Sequence, residues 1–376
     1  MEFTAPGKIL LLGGYSVLDG YPALSIAVED KKGKGVTASC SEGDFRIISE
    51  QFGIDRAVDP DDPADRDSAG SAFGTALAYL KGKGTGLKPV TVRTNNSRIF
   101  GKRGEKSGLG SSAASIVAIV AAVLGWHGIN DRETIHKVSQ IANFLATEKT
   151  GAGFDVACSV FGTIRYRRFE RSAISLDEND EGFAQEIVGL VRLPWPGLEV
   201  KPFSLGRYGL LAFNIRGSKT ATLDAIKAME RFRKKEPERY EKDIRAQAEA
   251  EEKVFKGIKK GDGRMVRDGM RKAREAQRRL SSKVEDMGAF DPIEPEELRM
   301  IIEKAEGTEG VVAGRCPGAG GYDSLAFLVE KDDPGIAKRI VELGKETGVK
   351  LEKIDFRLSE KGVRRVSSPE DSPSSR

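Results

Sequence analysis

The residues best suited to chemistry lie in three glycine-rich segments. In "KSGLGSSAASIVAIVAAVL", Lys106 to Leu124, a glycine-serine loop runs without a break into an apolar stretch. Glycines at Gly108 and Gly110 allow successive backbone N–H groups to turn toward one point, a concavity suited to an anion. A helix starting at Ser111 would add unsatisfied amides and a positive dipole end at the same place. The Ser111 and Ser112 hydroxyls could reach a metal ion held by phosphates. The spacing is neither that of a P-loop nor GxGxxG after a strand, so taken alone the loop reads more readily as a structural turn before a core helix. The second segment, "PGKILLLGGY", sets Lys8 between a proline turn and a buried strand, an unusual place for a surface lysine. The third, "CPGAGGYDSLAF", puts Gly318, Gly320 and Gly321 just ahead of a strand.

Other chemistries are poorly provided for. The chain of 376 residues has two histidines, and neither His127 nor His136 falls in a triad or metal spacing. Cys40, Cys158 and Cys316 are scattered, which suits isolated thiols in a reducing compartment. With 61 basic and 57 acidic side chains the net charge is only +4, which argues against a nucleic-acid binder. The longest apolar run, Ala113 to Trp126, is shorter than the roughly 18 residues a membrane span needs. A cytoplasmic protein without membrane or nucleic-acid partners is expected. A charged fraction of 31% with few Asn and Gln fits ion-paired surfaces of a heat-adapted kind.

The elements that must hold these loops follow from periodicity. Strands are read at "ILLLGGYSVL", "ALSIAV", "GVTASC", "FRIISE", "PVTVRT", "GTIRYRRF" and "YGLLAFNIR", with Asp55 to Asp67 as a loop and "SAFGTALAYL" as a short helix. In the arginine-rich strand, Arg165 and Arg167 fall on one face and Arg168 on the other. The apolar helix should stop near Gly125 and Gly128, and Asp131 should cap the next. Two or three amphipathic helices are expected from Thr220 to Val284, the charge run being their solvated face. A strand–glycine loop–strand unit, a helix over Pro334–Thr347 and one strand "KLEKIDFRL" complete the count. The division expected is a nucleotide-binding domain over 1–205, a second domain over 206–360 and a disordered Ser/Pro-rich tail over 361–376.

The three segments in this order resemble the GHMP kinase superfamily of small-molecule kinases, and the resemblance runs from about Glu2 to Leu358. Within it, "APGKILLLGGYSVLDGYPAL", "KSGLGSSAA" and "TGAGFDVACSVFGTIRYRRF" are most similar to the phosphomevalonate kinase family. Gly13-Gly14-Tyr15 stands where mevalonate kinases and galactokinases typically carry Gly-Glu-His. The match of "GSKTATL" near Ser218 to a substrate loop is looser.

The resemblance implies an α+β fold of two domains. The first would be like ribosomal protein S5 domain 2, a mixed sheet with the loop helix buried against it. The second would be a ferredoxin-like sheet with helices on one face, and ATP and Mg²⁺ would bind in a cleft between the domains. It implies transfer of the ATP γ-phosphoryl group to 5-phosphomevalonate, giving 5-diphosphomevalonate on the mevalonate route to isoprenoids. Sibling alternatives are a mevalonate kinase, another mevalonate-phosphate kinase or a related decarboxylase. A non-catalytic metabolite sensor is the alternative of another class, and retention of Lys8 and Asp155 argues against it. Asp155 becomes the candidate catalytic carboxylate and Lys8 the cation that neutralises the transferred group. Lys106, Gly108, Leu109, Gly110, Ser111, Ser112 and Ala113 would hold the nucleotide, with Ser112, or alternatively Ser111, on magnesium. An acceptor with a carboxylate and a phosphate needs cations, for which Arg165 and Arg167 are candidates, though arginines that keep an edge strand soluble fit as well. Tyr15, Ser218, Lys219, Gly320 and Gly321 are further substrate candidates, with Arg98 a weaker one. Oligomeric state is open between monomer and homodimer.

Overall fold

The computed structural model describes residues 1–50, 53–60, 67–101, 108–147, 151–176, 182–215, 222–286, 292–330 and 333–366. Its described residues group into two units. The first takes Met1–Ile9, Ser25–Pro202 and the residues from Phe356 onward, and the second takes Leu10–Leu24 and Phe203–Asp355. The chain therefore passes between units inside the strand Gly7–Leu12 and again inside its partner Ala23–Glu29.

In the first unit a mixed sheet runs Arg364–Arg365, Glu2–Ala5, Val36–Glu42, Val90–Asn96, Arg46–Ser49, Ile54–Ala57. All neighbours are antiparallel except Arg46–Ser49 against Val90–Asn96. The helix Ser111–Trp126 packs on three of these strands and against the helices Ser68–Gly82, Arg132–Ala146 and Phe154–Phe161. Ala113 to Leu124 are buried, apart from the half-buried Ser115. The run is apolar on all sides because the helix is covered on all sides. It ends at Trp126, close to the expected glycines, and Asp131 caps the following helix by accepting from the Thr134 amide. Two expectations change. Asp55–Ala57 are strand rather than loop, because they pair with Arg46–Ile48. The tail does not begin at residue 361: Arg364 and Arg365 pair with Thr4 and Phe3, and Arg364 also binds Glu29. The Ser/Pro-rich end over 367–376 lies outside the described residues.

The second unit carries an antiparallel sheet in the order Val311–Arg315, Ser324–Val329, Gly209–Ile215, Leu351–Lys353. The helix Glu296–Ala305 precedes the first of these, and Pro334–Glu346 links the second to the last. Numbered by chain order the strands lie 2-3-1-4, the βαββαβ arrangement of a ferredoxin-like domain. Three helices, Thr222–Lys235, Pro237–Lys260 and Gly263–Asp286, are inserted after its first strand. "KLEKIDFRL" is not one strand. Pairing changes after Lys353, and Arg357–Leu358 joins Ala23–Glu29 in another sheet. Two successive polar residues, Glu352 and Lys353, interrupt the hydrophobic alternation where the partner changes, a slip of register that marks the break. The charge run is also more than a solvated face, since Asp243, Glu251 and Arg274 on these helices are buried. All three cysteines are buried free thiols.

Candidate active site

At the glycine loop, Gly110 adopts the left-handed conformation, φ 74°, and begins the helix Ser111–Trp126 with no side-chain cap. The first intrahelical bond runs from the Ala114 amide to the Gly110 carbonyl. The amides of Ser111, Ser112 and Ala113 thus precede the helical ladder, at the positive end of the dipole. Lys8 is bound to this loop at both ends of the residue. Its amide donates to the Leu109 carbonyl at 2.7 Å, and its Nζ donates to the Gly108 carbonyl at 3.0 Å. Small residues make the approach possible. A Cβ at Gly7 would lie 2.4 Å from the Leu109 oxygen, and one at Gly110 would lie 3.0 Å from the Lys8 stem.

Asp155 sits in the first turn of the helix Phe154–Phe161, entered through Gly153 at φ 80°. That helix is tied to the Lys8 strand by Ser159, whose Oγ donates to the Pro6 carbonyl at 2.8 Å. Lys8 Nζ lies 5.9 Å from the Phe154 ring centroid. Both Lys8 and Asp155 act on the buried Cys158 thiol, in opposite senses, while burial pushes that thiol up to about 12. Ammonium, carboxylate and uncapped helix end therefore share one neighbourhood of the first unit.

Other candidates are placed differently. Arg165 and Arg167 point to the strand Glu199–Pro202: Arg165 Nη1 lies 3.3 Å from Glu199, and Arg167 is exposed and pairs in register with Glu199. Lys201, Arg165 and Arg167 together hold the Glu199 carboxyl below its usual range. The strand of Arg165 and Arg167 lies between Ala23–Glu29 and Glu199–Pro202, so the expected edge strand is an interior one, and Arg165 is engaged by Glu199 of its neighbour. Arg168, on the opposite face, is the arginine that reaches the Asp155 turn, donating to the Gly151 carbonyl at 2.8 Å. In the second unit, Tyr15 is buried among Phe232, Tyr240, Ile244 and Leu280, and its hydroxyl donates to the Ala319 carbonyl, so packing engages it rather than a ligand. Burial, helped by Asp323, pushes that phenol upward. The amides of Gly320 and Gly321 are likewise engaged, by the Pro317 and Ile293 carbonyls. A Cβ at Gly320 would lie 2.2 Å from the Ile293 oxygen, so this loop needs glycine for its own close packing. Lys106, Ser218 and Lys219 lie outside the described residues. Arg98 is exposed in a short 3-10 turn.

Sequence reasoning missed Ser68. Its hydroxyl lies 2.8 Å from that of Ser112, at the start of a helix capped by Asp67. The Asp-Ser pair ahead of small residues is an N-cap signature that could have located this helix start, though not its neighbour. His127 and His136 both serve packing and hydrogen bonding. His127 accepts from the Lys88 amide, and burial pushes His136 down to about 3.

The family model described as "GHMP kinases N terminal domain" matches residues 71–163, which span the apolar helix and the Asp155 turn. The chain is 27% identical to a phosphomevalonate kinase of Candida albicans, over 90% of this chain and 91% of that protein. It is 27% identical to one of Saccharolobus solfataricus, over 94% and 99%.

The chain carries a GHMP kinase N-terminal domain.

The fold is also that of a solved Streptococcus pneumoniae phosphomevalonate kinase in complex with phosphomevalonate and AMPPNP. The TM-score is 0.72 at 18% identity, covering 96% of this chain and 99% of the other. For a GHMP kinase, a phosphotransferase, the lysine, the carboxylate and the amide-rich loop of the first unit are the groups to consider for phosphoryl transfer.

Proposed function

We propose that this protein transfers the γ-phosphoryl group of ATP to the phosphate of 5-phosphomevalonate, releasing ADP and 5-diphosphomevalonate. The observation that carries the reading is similarity, at 27% identity over nearly the whole length of both chains, to phosphomevalonate kinases of Candida albicans and Saccharolobus solfataricus. The first-unit geometry supports the role of each group. An acceptor phosphate oxygen forms the new bond to the γ-phosphorus as the bond to the ADP oxygen breaks. The acceptor is already ionised at neutral pH, so Asp155 orients it rather than removing a strongly held proton. Lys8 places a positive charge beside the Gly108–Gly110 loop, where the transferred group gathers negative charge. The amides of Ser111, Ser112 and Ala113 suit the nucleotide phosphates.

The donor set also fits magnesium. It offers the adjacent Ser111 and Ser112 hydroxyls, and among the described residues no cluster of three or more His, Cys, Asp or Glu could hold a metal by itself. That combination suits an ion carried largely by substrate phosphates, whose charge it would neutralise. A cytoplasmic location and a monomer or homodimer complete the proposal. The three buried free thiols support a reducing compartment, and no helix among the described residues is long and apolar enough to cross a membrane.

The test is ADP release by purified protein with ATP and each acceptor in turn. Turnover with 5-phosphomevalonate is expected; turnover with mevalonate but not with its 5-phosphate would sink the reading. Asp155→Ala should lower kcat by at least about a hundredfold if its carboxylate orients the acceptor. Unchanged turnover would remove Asp155 from the site.

A further inference from the structure

The turn that delivers Asp155 is held in an unusual way. Three successive carbonyls, of Gly151, Ala152 and Gly153, each accept a hydrogen bond from a different side chain. Arg168 Nη2 donates to Gly151 at 2.8 Å, Tyr166 Oη to Ala152 at 2.9 Å, and Gln140 Nε2 to Gly153 at 2.7 Å. Two elements supply these donors. Tyr166 and Arg168 stand two residues apart on the buried face of the strand Ile164–Arg167 and its continuation, and Gln140 comes from the helix Arg132–Ala146. All three side chains are buried, Tyr166 completely.

The fit leaves no slack. A Cβ on Gly153 would lie 2.6 Å from Gln140 Oε1 and 2.9 Å from Tyr166 Oη, at a left-handed φ that already favours glycine. Gln140 is itself oriented. Its Nε2 lies 3.0 Å from His136 Nε2, and since that amide nitrogen is the donor, His136 must accept there and carry its proton on Nδ1. Burial keeps the imidazole neutral and able to accept. The His136 ring also packs edge-on against Phe161, 5.1 Å between centroids, at the far end of the helix that Asp155 begins.

We infer that Tyr166, Arg168 and Gln140 are positioning residues for phosphoryl transfer, acting through Asp155 by fixing the Gly151–Gly153 turn. The inference rests on the role proposed for Asp155. It assigns to the aromatic and second arginine of "YRRF" a task that neither composition nor alternation suggested. The geometry separates this task from nucleotide binding, because the glycine loop and Lys8 receive none of the three bonds.

Tyr166→Phe removes one hydroxyl and keeps the ring; Arg168→Lys keeps the charge and loses the planar fork. Each should lower kcat by about tenfold to a hundredfold, the scale of a misplaced catalytic group, while KM for ATP stays within about twofold. The single-turnover rate of the pair Asp155→Ala with Tyr166→Phe should match that of Asp155→Ala alone, since a residue acting through the carboxylate has nothing left to position. Thermal unfolding of each variant sets an assay temperature at which all are folded. Either variant keeping its kcat within twofold, an equal rise in KM for ATP, or the same fold-loss in the Asp155→Ala background would overturn the inference. Failure of the underlying reading shows separately, as an Asp155→Ala enzyme that turns over like the parent.

Discussion

Lys8 is half-buried, its stem against Gly110 and its ammonium on the Gly108 carbonyl. A lysine tied to a backbone carbonyl has lost most of its rotamer freedom before any ligand arrives, so its charge is preorganised rather than recruited. Lys8→Met keeps the apolar stem and deletes the charge. It should lower kcat by about 10²- to 10³-fold, the usual loss when one preorganised electrostatic donor is removed. Steady-state kinetics at saturating ATP check this, and a loss below about threefold would assign Lys8 to loop packing alone. The position was readable from sequence because a lysine between a proline turn and an apolar strand is out of place as a surface residue. Tyr166 was not, because an aromatic alternating with arginines reads as ordinary core. Its use comes from a hydroxyl whose partner lies fourteen residues earlier.

At the level of elements, the helix Arg132–Ala146 joins folding to the site through His136 and Gln140. Burial lowers His136 from 6.5 to about 3, so the native protein refuses a proton that the unfolded chain accepts between those values. Stability attributable to this group is therefore intact above about pH 6.5 and is lost progressively as the pH falls toward 3. The slope is at most about 1.4 kcal/mol per pH unit. Urea unfolding at several pH values should show that acid-side slope, and His136→Leu should flatten it by about one proton; an unchanged slope would mean that the histidine titrates normally. Helices were well read where local signals sufficed, as with the Asp131 cap and the apolar run after Ser111. Elements defined by a distant partner were not. Ile54–Ala57 becomes strand through Arg46–Ser49, and the chain after Lys353 changes sheets to pair Arg357–Leu358 with Ala23–Glu29.

Across the second unit, buried contacts join segments far apart in the chain, Gly13 to Glu251 being 238 positions apart. Glu251 lies on a helix whose composition reads as solvent-facing, yet it is 1% exposed. It accepts from the Gly13 amide at 3.0 Å and binds Arg315 at 3.0 Å, and Arg315 also donates to Gln277 at 2.9 Å. One carboxylate thus holds the glycine turn of "LLGGY" and the last residue before "CPGAGG", while the Gly318 amide donates to the Leu10 carbonyl between the same two segments. Charge count and helical period are blind to such a link, because a buried ion pair and a solvated one have the same local spelling. Glu251→Ala would strand a fully buried guanidinium and leave the Gly13 amide without its acceptor. A loss of about 3–5 kcal/mol is expected in denaturant unfolding. Pairing Glu251→Leu with Arg315→Met should recover most but not all of that loss. The apolar pair removes the unpaired charge, while the Gly13 amide still lacks a partner, a residual cost of about 1–3 kcal/mol. A double variant no more stable than Glu251→Ala would show that the carboxylate acts through the glycine turn rather than through the arginine.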